Sequence, residues 1–341
     1  MLANLNADFL FPKLHGMWAR SMVGESLQRL IQSGREDAVA RALTPLGIDA
    51  SRREEVQKQI VCAHIAELSS VQRLADPRTA RFYSAFLERH FFENLKTVLH
   101  YHYFPEHGVS IQFLLIDAPG LPHFDAEALL AARNTHQLFT HLPPHPCREA
   151  LLPLLVELED TRDILAAESR LDRMFYAELL GAAGRLPLST RQIGRELVRT
   201  EVDITNLVMI LRNVVMYRLA ADTLRGLCLD GGLHLSPKAL EKLYGAKGVP
   251  ALVASLPRVY RRLPEPFVEG ELYLSENALW NHLHRLAYGL FTDYNRPAAS
   301  VVAFAYLKRF EMLNIGRVFE GTHFGLGAAD IQKMMIGTGH V

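Results

Sequence analysis

The chain has 341 residues, of which 49% are hydrophobic and 22% are charged, so it belongs to the folded globular class and not to the disordered one. Its 37 Lys and Arg residues balance 37 Asp and Glu residues, and this lack of basic excess argues against a nucleic-acid-binding protein. A net charge of zero favours association with other proteins, which suits a permanent place in an assembly.

The cysteines, the N-terminal stretch and the apolar segments indicate in which compartment the protein is expected. The three cysteines are odd in number, widely spaced and form no CxxC pair, which excludes a disulfide framework and fits a reducing cytosol. The N-terminal stretch MLANLNADFLFPKLHG lacks the basic start and continuous apolar core of a signal peptide. The most apolar segment, residues 207–221, is interrupted by Arg212, Asn213 and Arg218, so no membrane-spanning helix is expected.

The first third of the chain predicts helices. Two short helical turns begin at Glu25 (ESLQRLIQSGREDAVARAL), and a longer helix (EEVQKQIVCAHIAEL) begins at Glu54. A third helix, RHFFENLKTVLHY, contains Asn94 among apolar residues. A turn-rich boundary at 105–108 follows, and residues 109–116 have the pattern of either a short strand or a buried connector.

The middle third has the same order of elements. Two short turns begin at Ala126 (AEALLAARNTHQLFTHL), and a longer helix (ESRLDRMFYAELL) begins at Glu168. The next helix, TEVDITNLVMILRN, carries Asp203 three residues before Asn206. A glycine-rich segment, residues 226–236, predicts the next boundary.

The last third contains the series once more. Ser236 and Pro237 have the pattern of an N-cap followed by proline at the first helical position, and PKALEKLYGAKGVPALVASL follows. The longer helix (ENALWNHLHRLAYGL) begins at Glu276, and LKRFEMLNIGRVFEG carries Glu311 three residues before Asn314. The glycine-rich GTHFGLG that follows predicts a helix stop and turn.

Three elements in the same order, three times, indicate an internal repeat. The asparagines are separated by 112 and 108 residues, while Phe91 takes the place of the acid in the first copy. The sequence therefore predicts an all-α protein of three similar helical lobes, residues 1–105, 106–226 and 227–341, each of roughly 110 residues.

The repeated asparagines allow two interpretations. Each amide ties its helix to the backbone of a neighbouring helix or loop, or the acid and amide act together on a ligand. The packing interpretation is favoured, because a buried amide must be hydrogen-bonded and three equivalent catalytic sites in one chain would be unusual.

A histidine-rich run offers a metal site as an alternative. Its four candidate ligands within twelve residues are His136, His141, His145 and Cys147. Their spacings are not the compact ones of zinc sites, prolines interrupt them, and no second ligand pair occurs elsewhere, so a proline-rich loop is favoured.

Motifs of known chemistry are missing from the sequence. GxxxxGK[ST], a strand-linked GxGxxG, GxSxG and HExxH do not occur. We therefore expect no catalytic residues and no cofactor.

Two segments resemble a known family, the C-type subunits of the A/V-type rotary ATPases, which are called d-type in eukaryotes. AYLKRFEMLNIGRVFEGTHFGLGAADIQKMMIG is similar to the closing pattern of that family, YLxxKExExxNIRxIxxGKxxGL…I, and DITNLVMILRN is similar to its DxxNLxxILR. The N-terminal FPKLHGMWARSMVGESLQRLI matches more faintly, through Ala19 and Arg20. Phe91 and His323 depart from the pattern, so the chain looks like a divergent member. The matching residues are Asp203, Asn206, Leu207, Ile210, Leu211, Arg212, Tyr306, Leu307, Lys308, Glu311, Asn314, Ile315, Arg317 and Gly321.

The resemblance implies a mechanical function. Three lobes would form a funnel that couples the central-stalk subunits (D and F type) to the membrane proteolipid ring, on the cytoplasmic face of the membrane, during proton or sodium transport. No catalysis, nucleic acid or small-molecule substrate is implied. The alternative is a helical-repeat scaffold of another complex. The residues expected to have structural roles are Asn94, Asp203, Asn206, Arg212, Glu276, Glu311 and Asn314.

Overall fold

The computed structural model describes residues 2–104, 110–265, 267–268 and 270–337, and this part of the chain contains helices and no β-strand. The predicted all-α class is confirmed. No helix in the described residues combines the length and apolar character needed to cross a bilayer. The predicted boundary at 105–108 lies outside the described residues.

We divide the helices into three successive groups for reference. The first group is α1 (Leu2–Trp18), α2 (Glu25–Ser33), α3 (Glu36–Leu43), α4 (Arg53–Gln72), α5 (Pro77–Leu87), α6 (Arg89–Tyr103) and α7 (Ile111–Leu114). The second is α8 (Ala126–Ala131), α9 (Thr135–His141), α10 (Arg148–Thr161), α11 (Ile164–Arg185), α12 (Leu188–Arg212) and α13 (Ala221–Leu227). The third is α14 (Pro237–Tyr244), α15 (Val249–Ser255), α16 (Arg258–Arg261), α17 (Leu272–Phe291), α18 (Pro297–His323) and α19 (Ala328–Met334).

The predicted pairs of short helices are confirmed as α2 with α3, α8 with α9, and α14 with α15. The predicted cap of α14 is also present, because the Ser236 hydroxyl accepts a hydrogen bond from the Ala239 amide at 3.3 Å. The GTHFGLG turn behaves as expected, since α18 ends at His323 and Gly325 has a φ of +68°.

The strand alternative for residues 109–116 is wrong for the described part of that segment, residues 110–116. Residues Ile111–Leu114 form one helical turn instead of pairing with a strand. The main-chain groups of Ile116 bond to the side chain of Asn94. A segment whose polar backbone groups are satisfied by a side chain needs no neighbouring strand.

Each group contains two long helical segments joined by a short connection: α4 with α5 and α6, α11 with α12, and α17 with α18. Glu88 joins α5 to α6 with right-handed helical backbone angles, so the two continue as one segment. The second segment starts at Pro77 in the first group and at Pro297 in the third, and Pro187 directly precedes it in the second. Proline suits this place because the first helical residues have no intrahelical partner for their amides.

Contacts between successive helix pairs return to the start of the chain. Helices α5 and α6 contact α11, α12 contacts α17, and α18 contacts α4. Helices α2 and α3 also pack on α18, and α2 packs on α19. The network of contacts therefore closes into a ring. The threefold repeat, the lobe boundaries and the funnel shape remain predictions.

The two ends of the chain share a small apolar core, which is separate from the main one. Leu27, Ile31 and Leu43 of α2 and α3 are buried with Ile315 and Val318 of α18. Burying one such side chain contributes roughly 1.5–3 kcal/mol. This second core joins the start of the chain to its last long helix.

Candidate functional site

The three asparagines make the same pair of hydrogen bonds. Each side-chain amide donates to the carbonyl oxygen, and accepts from the amide, of one residue that lies 22 or 23 positions downstream. We call each such pair an asparagine bridge. The bridges join Asn94 to Ile116 (2.7 and 2.8 Å), Asn206 to Leu229 (2.9 and 2.7 Å) and Asn314 to Ile336 (2.7 and 2.9 Å).

An amide suits this place because it carries a donor and an acceptor side by side, like the peptide group it bonds. The asparagines are almost fully buried, with 1%, 1% and 3% of their surface exposed in chain order. Water cannot replace the hydrogen bonds of the bridge at such a buried place. Each bridge therefore fixes the position of the chain that follows the helix.

The residue three positions before each asparagine contacts the segment that leads to the next pair of short helices. Asp203 accepts hydrogen bonds from the amides of His234 (2.7 Å) and Leu235 (3.1 Å) and from the Tyr260 hydroxyl (2.9 Å). Burial raises the pKa of Asp203, although these three hydrogen bonds oppose the shift. Its oxygens are engaged within the fold.

The residues three positions before Asn314 and Asn94 have related contacts. Glu311 accepts a hydrogen bond from the Met22 amide at 2.6 Å, just before α2, and also pairs with Lys308. Phe91 instead packs against Phe124, just before α8, with ring centroids 5.5 Å apart. An aromatic contact therefore precedes Asn94, whereas a carboxylate precedes Asn206 and Asn314.

Arg212 and Glu276 form a two-point ion pair between the end of α12 and the start of α17. Nε lies 2.6 Å from Oε1 and Nη2 lies 3.0 Å from Oε2. The side chains are 43% and 17% exposed, so the pair contributes about 1 kcal/mol or less. Sequence reasoning singled out both residues without pairing them.

Two further pairs occupy the same position, six residues after the asparagine. His100 lies 2.9 Å from Glu168, and Glu320 lies 3.4 Å from Arg53 with the charges reversed. Each pair joins the second long segment of one group to the first long helix of the next.

Sequence reasoning missed a charged cluster at the centre of the helices. Arg89, Glu201 and Arg309 each lie five residues before a bridge asparagine. Glu201 Oε1 accepts hydrogen bonds from Arg89 Nη2 at 2.7 Å, from Arg309 Nη1 at 2.8 Å and from the Tyr176 hydroxyl at 3.2 Å. We call Arg89, Glu201 and Arg309 the central triad. Aligning the three segments on Asn94, Asn206 and Asn314 would have placed these charges in one column.

Aromatic rings surround the two arginines of the triad. The Arg89 guanidinium carbon lies 4.6 Å from the Phe175 ring centre, and that of Arg309 lies 5.2 Å from the ring centre of Trp280. Such cation–π contacts partly offset the loss of water around a buried cation.

The central triad controls the charge of its neighbours. Burial alone raises the pKa of Glu201, but Arg89 and Arg309 overcome this effect and hold the pKa below its usual range, so the carboxylate stays charged. Burial and the charge of Arg89 lower the pKa of Arg309. Burial, with the charges of Arg89 and Arg309, also lowers the pKa of His90 to about 3, and that of His64 is lowered mainly by burial.

His90 makes the fold sensitive to acid. Its pKa is about 3 in the native state against an ordinary 6.5, so below pH 6.5 the unfolded chain binds a proton that the native state does not. Its contribution is full above pH 6.5 and falls by roughly 1.4 kcal/mol per pH unit towards pH 3. We expect His90→Asn to reduce the slope of unfolding free energy against pH by about that amount. Urea titrations between pH 4.5 and 7 measure it.

The control for this prediction is His136→Asn, which changes an exposed histidine. It should leave the slope unchanged. Equal slopes for His90→Asn and the wild type would contradict the assignment of His90 as an acid-sensitive group.

The four candidate ligands of the histidine-rich run lie in different surroundings. Within the described residues, no group of three or more His, Cys, Asp or Glu side chains is arranged to hold a metal ion. His145 stacks on Phe91 with ring centres 4.0 Å apart and contacts Cys147, whereas His136 and His141 are exposed. The run is an ordinary connection around α9.

The chain is similar to proteins of one known family. The family model "ATP synthase (C/AC39) subunit" matches residues 10–334. The C-type subunit of the A-type ATP synthase of Methanosarcina mazei is 27% identical over 258 residues, which cover 74% of this chain and 69% of that protein. Its counterpart from Methanosarcina barkeri is 30% identical over 159 residues, covering 47% and 43%. The one from Methanosphaera stadtmanae is 22% identical over 221 residues, covering 62% and 57%. The chain thus spans only about half of the length of the last two relatives.

Proposed function

Because the chain belongs to the ATP synthase (C/AC39) subunit family, whose members are structural and not catalytic, we propose that it is the central-rotor adaptor of an A/V-type ATPase. In this role it couples the central stalk to the membrane proteolipid ring while ions, protons or sodium, cross the membrane. Its partners are the D- and F-type stalk subunits and the ring, and it lies on the cytoplasmic face of the membrane.

The observation that supports this proposal most is the closed ring of helix contacts. A part that transmits torque must resist twisting, and a ring has no free end at which one helix pair turns independently of the others. The contact of α18 with α4 joins the last helix pair to the first. Close-packed interiors of this kind transmit strain because they have little compressibility.

The repeated polar contacts support the same role. Three asparagine bridges occur at matching positions, and each second long segment contacts the next group through a pair of polar side chains, Arg212 with Glu276, His100 with Glu168 and Glu320 with Arg53. We infer three similar lobes arranged as a funnel. Polar networks that are fully hydrogen-bonded specify one arrangement of a core, which a rigid spacer needs.

Co-purification tests the proposal. An affinity-tagged copy should bring down stalk and ring subunits in a fixed ratio after detergent extraction, without bound nucleotide. Complexes lacking the chain should still hydrolyse ATP at the head but should pump no ions. Normal pumping without the chain, or tight ATP binding by the isolated chain, would overturn the adaptor role. A pulldown free of any ATPase subunit would favour the helical-repeat scaffold instead.

A further inference from the structure

The central triad lies between α6, α12 and α18. At this level the helix faces that carry it change from buried to exposed. One turn before the triad, Phe86, Val198 and Tyr306 occupy the same helix faces and are 2%, 0% and 0% exposed. One turn after it, Glu93 is exposed, and Thr205 and Leu313 are partly exposed. The side chains of Arg89 and Arg309 are themselves 13% exposed, while that of Glu201 is 0% exposed. The two arginine side chains therefore keep a small exposed fraction where this face of the helices opens.

The triad has more positive charge than its own carboxylate balances. Two arginines share Glu201, and the nearby His64 and His90 are neutral at pH 7 because burial and the arginines lower their pKa values. Within the described residues, Arg89 Nε and Glu201 Oε2 are both buried without a hydrogen-bond partner. The excess positive charge, more than the unused donor, therefore favours an additional acceptor of negative charge.

The next charged cluster does not supply that acceptor. Lys308 lies 2.7 Å from Glu67 and also contacts Glu311 and Ser21. Arg20 acts on Glu67 as a further positive charge. This cluster is therefore balanced within itself, and it leaves the single excess charge on the triad.

We propose that the central triad is the floor of a docking site, between α6 and the C-terminal halves of α12 and α18, for a carboxylate group of a protein partner. The inference rests on the proposed function, in which that partner is the foot of the central stalk. A guanidinium binds a carboxylate through two parallel hydrogen bonds, and only a small part of each arginine is exposed. This geometry fits one acidic side chain or chain end, and not a broad acidic surface. The partly exposed Trp280, Met209 and Leu313 provide apolar surface beside it.

The variant that tests the site is Arg309→Gln. It removes the excess charge but leaves Arg89 paired with Glu201, so the melting temperature should stay within about 3 °C of the wild type. Binding to the purified stalk pair of the same complex, measured by titration calorimetry at low and high salt, should weaken at least about tenfold. The salt dependence should also become less steep.

Two more variants keep the experiment interpretable. Arg258→Gln removes one positive charge from an exposed position on α16 and should bind the stalk pair like the wild type. Arg309→Lys keeps the charge without the two-point geometry and should lose part of the affinity. It also serves if Arg309→Gln fails to fold. Unchanged binding by a folded Arg309→Gln or Arg309→Lys overturns the docking site while leaving the adaptor role intact.

Failure of the wild type to bind the stalk pair would count against the proposed function itself. Hexaglutamate peptide then tests the docking site alone. It should raise the melting temperature of the wild type and of Arg258→Gln but not that of Arg309→Gln. Equal shifts in all three, or no shift in the wild type, would overturn the inference.

Discussion

Replacing Glu201 with glutamine is expected to lower the free energy of unfolding by about 3–5 kcal/mol. Glutamine keeps the shape of the side chain and removes its charge. Arg89 and Arg309, whose side chains are only 13% exposed, would then face each other without a counter-ion. Chemical denaturation at pH 7 measures the loss.

A second change tests whether uncompensated charge is the cause. Adding Arg309→Gln to Glu201→Gln removes one of the two unpaired cations and should recover part of the lost stability. The control Glu241→Gln alters an exposed ion pair with Arg225 and should change stability little. A Glu201→Gln variant as stable as the wild type would show that the triad does not require its carboxylate.

Replacing Asn206 with leucine should cost roughly 2–5 kcal/mol. The change removes both hydrogen bonds to Leu229 and leaves a buried main-chain amide and carbonyl unsatisfied, at about 1–3 kcal/mol each. Leucine has a similar size, so the loss reports the missing hydrogen bonds more than a cavity. Thermal and urea denaturation measure the total effect.

Amide hydrogen exchange at Leu229 tests the location of that effect. The exchange rate of this amide should rise in Asn206→Leu beyond what global destabilisation explains, because its acceptor is gone. Asn295→Ala, at an exposed asparagine before α18, should change neither stability nor this exchange rate. Protection of the Leu229 amide at the wild-type level would mean that the bridge does not hold this segment.

Most of the helices could be predicted from the sequence, because the signals that predict them lie within a few residues of each helix. The short helix pairs were predicted from apolar spacing and from caps such as Ser236, which act within a few residues. Residues 110–116 were harder, because seven residues do not distinguish a strand from a connector. Their structure depends on Asn94, which lies 22 residues before Ile116.

The charged centre was less predictable. Arg89 and Arg309 stand in helices where an isolated charge ordinarily indicates a solvated face, and Glu201 precedes the apolar run that drew attention to Asn206. A helix position shows which residues share a side, but it does not show what that side contacts. The same limit applies to Arg212 and Glu276, which were named separately and pair only in the folded chain.

The sequence by itself determined that the chain is helical, that a polar residue recurs within apolar helices at Asn94, Asn206 and Asn314, and which family it resembles. These properties depend on periodicity and on the order of motifs, which can be counted along the chain. Only the tertiary structure decided which backbone groups the asparagines bond, that Arg89, Glu201 and Arg309 meet, and that α18 returns to α4. Those contacts join residues about 20 to 250 positions apart, and they depend on how whole helices pack against each other.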